Sequence, residues 1–266
     1  MESHLSLYSP HALENREEVD FRFNALHLRI VRDDQDLLLF EWRESAHGKN
    51  PGKHHESEEE EEEPGYRRYA FEKAVKRIQI LPRTPARPLV VRPRQPLFLV
   101  PGSRVVFYVR FPLDLEIKAM VGSDEHILER IQSDILSDTW FGDPMSGIFG
   151  YALKSRARRS PPGDEDRVPG IAVCRIGIHN DSAETFKCEK FCLRLEHCRL
   201  WHRKNEVWTS PLHIRYRGPD YLSSIDYRDI PPDNLPGAEL ISEAVEVPTR
   251  NLVSRTFSFT GLIGTP

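Results

Sequence analysis

Apolar residues in this chain recur at every second position, over runs too short for a helix. Leu26, Leu28 and Ile30 alternate with His27, Arg29 and Val31, and Val105, Phe107 and Val109 alternate with Val106, Tyr108 and Arg110. Ile171, Val173, Arg175 and Gly177 alternate with Ala172, Cys174, Ile176 and Ile178. A period of two puts each set on its own face of a β-strand. Turn residues close each run. Asp33-Asp34-Gln35-Asp36 predicts a hairpin with a four-residue loop. Pro101-Gly102 carries proline and glycine at the second and third positions of a type II turn. The 21 prolines of the 266 residues fall throughout the chain, which denies it long uninterrupted helices.

Two segments break the rule with helical spacing. Ile127, Leu128, Ile131, Ile135 and Leu136 fit one helical face after Asp124 as a cap, and Phe71, Ala74, Val75 and Ile78 fit another. The polar run from Ser155 to Gly170, with Pro161, Pro162 and Pro169, reads as a linker. The expected fold is therefore all-β: two tandem antiparallel β-sandwich-like domains with one or two short helices. The domains are residues 1–155 and 171–266, joined by 156–170.

Charge is unevenly spread. Glu44 to Pro64 holds eight acids and two bases, while Tyr66 to Arg94 holds nine bases and one acid. Six consecutive glutamates repel one another, and Gly and Pro flank them, so residues 45–65 are expected to form a disordered acidic insertion. The basic stretch carries no interleaved aromatic platform, which argues against nucleic acid as partner. Its Arg67, Arg68, Arg77 and Arg83 are instead candidates for contact with a partner or an anionic membrane surface. No apolar run approaches the ~18 residues of a spanning helix. Met1 to His4 lacks a basic start and an apolar stretch, which predicts a cytoplasmic protein with reduced thiols.

Chemistry-bearing residues are sparse. The four cysteines are separated by thirteen, three and five residues, with no C-x-x-C pair, and read as small buried hydrophobes rather than metal ligands. Asp114 and Glu116 share one strand face, the ordinary pattern of a solvated outer face. They would serve acid–base catalysis only if a histidine converged on them. No nucleotide-binding, zinc or serine-hydrolase motif is present, so no catalytic, cofactor-binding or metal residues are assigned and no cofactor is expected. The run Gly142-Asp143-Pro144-Met145-Ser146-Gly147 predicts a tight turn that presents Trp140 and Phe141, aromatic anchors of the kind that dominate interfaces. A ligand-binding sandwich is the alternative, with Trp140, Trp201 or Trp208 lining a pocket.

Several landmarks fall in a recognisable order. They are Leu5-x-Leu7-Tyr8-x-Pro10, Leu28-Arg29-Ile30, Pro101-Gly102-Ser103, Phe111-Pro112, Phe141-Gly142-Asp143-Pro144 leading to Gly147-Ile148 and Tyr151, and Asn180. Together they resemble the prokaryotic, mainly archaeal family known as domain of unknown function 432, over roughly Leu5 to Leu262. The acidic insertion is not part of that family pattern. The resemblance implies no assigned activity and no established catalytic residues. It implies a place beside small-conductance mechanosensitive channels, hence a non-enzymatic accessory subunit acting from the cytosolic side.

Deleting residues 45–65 should leave folding intact, because a charged, apolar-poor loop buries little and its removal lowers closure entropy. Thermal melts of the deletant should lie within about 5 °C of wild type, a shift of roughly 2 kcal/mol for a chain this size; a larger fall would show that the insertion is structural.

Overall fold

The computed structural model describes residues 7–43, 66–145, 147–163, 166–218, 223–247 and the backbone of 252–254. The acidic stretch 45–65 lies outside the described residues. The chain is all-β, as its alternation predicts, and contains no α-helix among the described residues. The largest sheet is built on β9 (Arg104–Pro112) and β14 (Ile171–Asn180), antiparallel over nine residue pairs from Ile171 opposite Pro112 to His179 opposite Arg104. The other edge of β14 is shared. It pairs in parallel with β18 (Glu206–Thr209) at its start and with β19 (Leu212–Tyr216) at its end. Beyond these lie β17 (Leu200–Arg203) and β21 (Glu239–Ser242) on one side, and β20 (Ser223–Tyr227) and β22 (Leu252–Ser254) on the other.

Three four-stranded sheets surround this one. The first runs β1 (His11–Ala12), β6 (Arg77–Arg83), β10 (Asp114–Val121), β11 (Asp124–Gln132). The second is β2 (Glu18–Phe23), β3 (Leu26–Asp33), β4 (Asp36–Arg43), β5 (Tyr66–Tyr69). The third is β12 (Asp138–Phe141), β13 (Ile148–Ser155), β7 (Leu89–Pro93), β16 (Phe191–Leu193). A two-stranded ladder joins β8 (Leu97–Leu99) to β15 (Phe186–Cys188).

The pairings β9–β14, β7–β16 and β8–β15 all cross the boundary expected at 156–170. A single apolar cluster follows them across, holding Phe23, Leu26, Ile117 and Phe107 together with Ile176, Phe191 and Ile214. Phe107 and Phe191 meet edge to face at 5.5 Å. The polar run itself is laid along β9. The Arg158 carbonyl accepts from the Tyr108 N–H at 2.8 Å, and the Gly170 carbonyl accepts from Leu113 N–H and from Ser133 Oγ. Its polarity serves hydrogen bonds to neighbouring strands as well as solvent.

Neither expected helix forms. Residues 124–132 are β11, antiparallel to β10, with a bulge that sets Glu129 opposite Ile117 but Ile127 opposite Lys118. Leu128 is the extra residue. One inserted residue shifts the two-residue period, so Leu128 and Ile131 imitate helical spacing. In the second segment Val75 and Ile78 are both fully buried, but they belong to a loop and to the start of β6. There the Lys76 backbone bonds Met120 and Leu13, and these long-range bonds override local propensity.

The turn chemistry is tighter than the composition suggests. The hairpins β2–β3, β3–β4, β10–β11 and β17–β18 close with two residues each, led by Asn24, Asp34, Gly122 and Lys204 at positive φ. The expected four-residue loop at Asp33–Asp36 is thus shorter, because Asp33 and Asp36 themselves pair. The turn at Val100–Ser103 behaves as proline and glycine dictate: Ser103 N–H donates to the Val100 carbonyl at 3.1 Å and Gly102 has φ 71°.

Asn180 anchors that turn to the end of β14. Fully buried, it donates through Nδ2 to the Leu99 and Glu184 carbonyls, both at 2.8 Å, while Oδ1 accepts from Ser182 N–H and Oγ. Its backbone pairs with Gly102 and Ser103. Asn180→Ala removes the side-chain donor to the buried Leu99 carbonyl and the side-chain bonds to the 182–184 turn, at a cost of about 1–3 kcal/mol. The urea midpoint should fall accordingly without loss of cooperativity. An unchanged midpoint would show that the cluster is solvated and replaceable.

Candidate functional site

Two surfaces are built for contact. The first is the hairpin of β12 and β13. β12 is the edge of its sheet, and on its outer face Trp140 sits opposite Phe149 with ring centroids 6.5 Å apart. The two are 44% and 46% exposed, and Met145 in the connecting loop is 94% exposed. The loop is fitted to the indole. Trp140 Nε1 donates to the Asp143 carbonyl at 2.9 Å, and Met145 N–H donates to Asp143 Oδ1 at 2.8 Å. A Cβ at Gly147 would lie 2.3 Å from Trp140 Nε1, so only glycine permits this crossing. Arg87 caps the patch, its guanidinium 4.5 Å from the Phe149 ring centre and bonded to Asp138 at 2.8 Å. Phe141 points the other way. It is 1% exposed and packs with Val90, Ile148 and Cys192, so it supports the hairpin from beneath and presents nothing to a partner. The reason is the strand period itself, since adjacent residues take opposite faces.

The basic candidates do not gather around this hairpin. On β5, Arg67 pairs with Glu41 and with Glu129 (2.9 Å), and Arg68 pairs with Asp36 at 2.6 Å. On β6, Arg83 bonds Glu116 and Ser242, both at 2.7 Å. Arg77, also on β6, is exposed and makes no ion pair among the described residues. Much of the positive charge of residues 66–94 is therefore neutralised within the fold.

Asp114 and Glu116 are likewise structural. Both are buried, unlike the solvated outer face their spacing suggests. Asp114 accepts from Arg130 Nε at 2.9 Å, and burial raises its carboxyl pKa against the opposing pull of Arg130. The cysteines are free thiols in the core. Burial pushes Cys174, Cys188 and Cys192 up to about 12, which removes thiolate reactivity. Cys174 stands on β14, Cys188 and Cys192 on the short strands β15 and β16, and Cys198 in the connection before β17. Trp201 bonds Ser210 and Trp208 bonds Glu206, and neither lines the groove described next.

The second surface was not apparent from the sequence. It is a groove of about 670 Å³ on the solvent face of the largest sheet, across β9, β14, β19 and β20. Strand register defines its floor. One row runs Arg104, His179, Arg215, Ser224; the next runs Val106, Gly177, His213, Asp226. Gly177 has no side chain, and the His213 imidazole packs over it, so that a Cβ there would lie 3.1 Å from His213 Nδ1. Arg217 and Arg228 complete the wall. The only faint signal in the sequence is the alternation of His213, Arg215 and Arg217; the remaining residues come from three distant segments.

A family model described as a protein of unknown function (DUF432) matches residues 7–261. The chain belongs to the DUF432 family. Neither the curated proteins nor the solved structures yield a match. Within this DUF432 fold no helix is long and apolar enough to cross a membrane, among the described residues.

His213 titrates below the ordinary histidine range because of burial, then Arg228 and Arg175. A lowered folded-state value means the unfolded chain takes the proton more readily. Stability is therefore lost as pH falls through about 6.5 toward the depressed folded value, and the loss levels off below it. Between about pH 7.5 and about pH 5.5, His213→Asn should lose less melting temperature than wild type. Equal losses would remove His213 from this linkage.

Proposed function

We propose that this DUF432 protein is a non-enzymatic accessory or regulatory subunit of a small-conductance mechanosensitive ion channel. It acts from the cytosolic side of the inner membrane of a prokaryotic, mainly archaeal, cell, and reaches the membrane through its partner. The family resemblance supplies the channel. The observation that carries the reading is the exposed aromatic edge of Trp140, Met145 and Phe149. Aromatic side chains held rigid by a fitted loop make low-entropy anchors, and a free strand edge accepts main-chain hydrogen bonds from another chain. The pairing of Asp114 and Glu116 with arginines also favours a binding role over acid–base chemistry. Exposed Arg77 offers charge to an anionic surface, where each base near the membrane contributes ~1 kcal/mol.

A cytosolic ligand-binding protein is the second reading, favoured by the groove of β9, β14, β19 and β20. Co-expression with the neighbouring channel, mild detergent extraction and size exclusion separate the two. Co-elution is expected with wild type, and its loss with Trp140→Ala combined with Phe149→Ala. Such truncation of exposed anchors should cost each complex about 2 kcal/mol or more while sparing the fold. Separate migration of the wild-type proteins in several mild detergents and in nanodiscs would end the accessory-subunit reading.

A further inference from the structure

We infer that the groove across β9, β14, β19 and β20 is a binding site for a compact polyanion with adjacent phosphate groups. This goes beyond the channel reading and uses a different face of the molecule. Several arginines elsewhere in the fold are closely matched. Arg68, Arg83, Arg87 and Arg130 each hold a carboxylate at 2.9 Å or less. The groove departs from that pattern. Arg215 reaches Asp181 only at 3.7 Å and Arg228 reaches Asp226 only at 3.6 Å. Arg104 and Arg217 make no ion pair among the described residues. Four guanidiniums thus line one concavity whose wall holds a single carboxylate.

Such a surface repels itself unless an anion enters. A concave, low-dielectric wall concentrates that field. The His213 pKa is lowered first by burial and then by Arg228 and Arg175, against the opposite pull of Asp226 and Asp233, which accords with a net positive floor.

Geometry selects the class of anion. Arg104 and Arg215 lie in one register row with His179 between them, so their Cα atoms are about 10 Å apart, two strand spacings. Flexible arginine side chains close that distance onto one multiply charged group, and the guanidinium fork matches phosphate oxygens. The volume suits a small ligand rather than a macromolecule. No phenylalanine, tyrosine or tryptophan lines the groove, so recognition falls on the phosphates and not on a base stacked on a broad ring. Asp226 is the single repulsive element and sits opposite His213 in the neighbouring strand.

The test uses the full chain and two probes. Inorganic tripolyphosphate, followed by calorimetry, represents a soluble source. Phosphatidylcholine vesicles bearing phosphatidylinositol bisphosphate, followed by sedimentation, represent a lipid source. Arg104→Gln combined with Arg215→Gln should weaken binding tenfold or more, whereas Arg16→Gln, an exposed arginine in the turn before β2, should leave it within about twofold, a change of less than 0.5 kcal/mol. Asp226→Asn should act in the opposite direction and tighten binding. Tripolyphosphate binding with this variant pattern supports a soluble ligand, and vesicle binding alone with the same pattern supports a headgroup. The proposal is overturned if neither probe binds, or if the groove variants and Arg16→Gln weaken binding alike. Far-UV spectra and melts of each variant confirm that the sheet is intact. Because the Trp140 hairpin is untouched, failure here leaves the channel reading standing.

Discussion

The nine-pair ladder between β9 and β14 is the joint on which the rest of the molecule hangs. It is formed by segments that share no local signal. Once formed, it places β10 and β6 on one side of the core and lets β18 and β19 dock on the free edge of β14. The ladder is closed at one end by Asn180, whose buried amide makes four bonds and leaves none of its polar atoms without a partner. At the other end Leu113 bonds Gly170, so the polar run after β13 is drawn into the same joint. Two halves that look like separate units along the chain are interleaved in space.

Such a scaffold separates its charges by purpose. Arg67, Arg68, Arg83 and Arg130, on β5, β6 and β11, hold neighbouring strands together and face their carboxylates at close range. Those on the solvent face of β9, β14, β19 and β20 point into a common hollow and are only loosely countered. The aromatic hairpin occupies a third place, at the edge of another sheet. On the readings proposed above, partner docking and anion binding use different surfaces.

Most strands were legible because one buried face imposes a two-residue period, and the Pro101-Gly102 turn was legible because its chemistry is local. The β11 strand was not, since the bulge at Leu128 broke the period and mimicked a helix. Trp140 was found by its place beside an unusual turn, whereas its neighbour Phe141 could be assigned inward only by knowing which face of β12 meets Val90. The groove was hidden for a simpler reason. Its arginines are ordinary surface residues until register aligns Arg104, His179 and Arg215 across three strands, and register between distant segments is a property of the assembled sheet.

The crossed ion pairs on β6, β10 and β11 have one more effect. Arg83 stands directly opposite Asp114 and Arg130 opposite Glu116, yet each arginine bonds the other acid. The lacing ties three strands diagonally through β10, so sliding β10 misaligns both pairs together, and sliding β6 or β11 breaks one of them. A slip of β10 by a single residue would turn Asp114 and Glu116 toward the face now filled by Leu115 and Ile117, away from both arginines. Chains dominated by distant strand pairing fold slowly and sample shifted sheets on the way. Here the charged face acts as a proofreader, because misaligned intermediates carry a solvation penalty that the native alignment alone escapes.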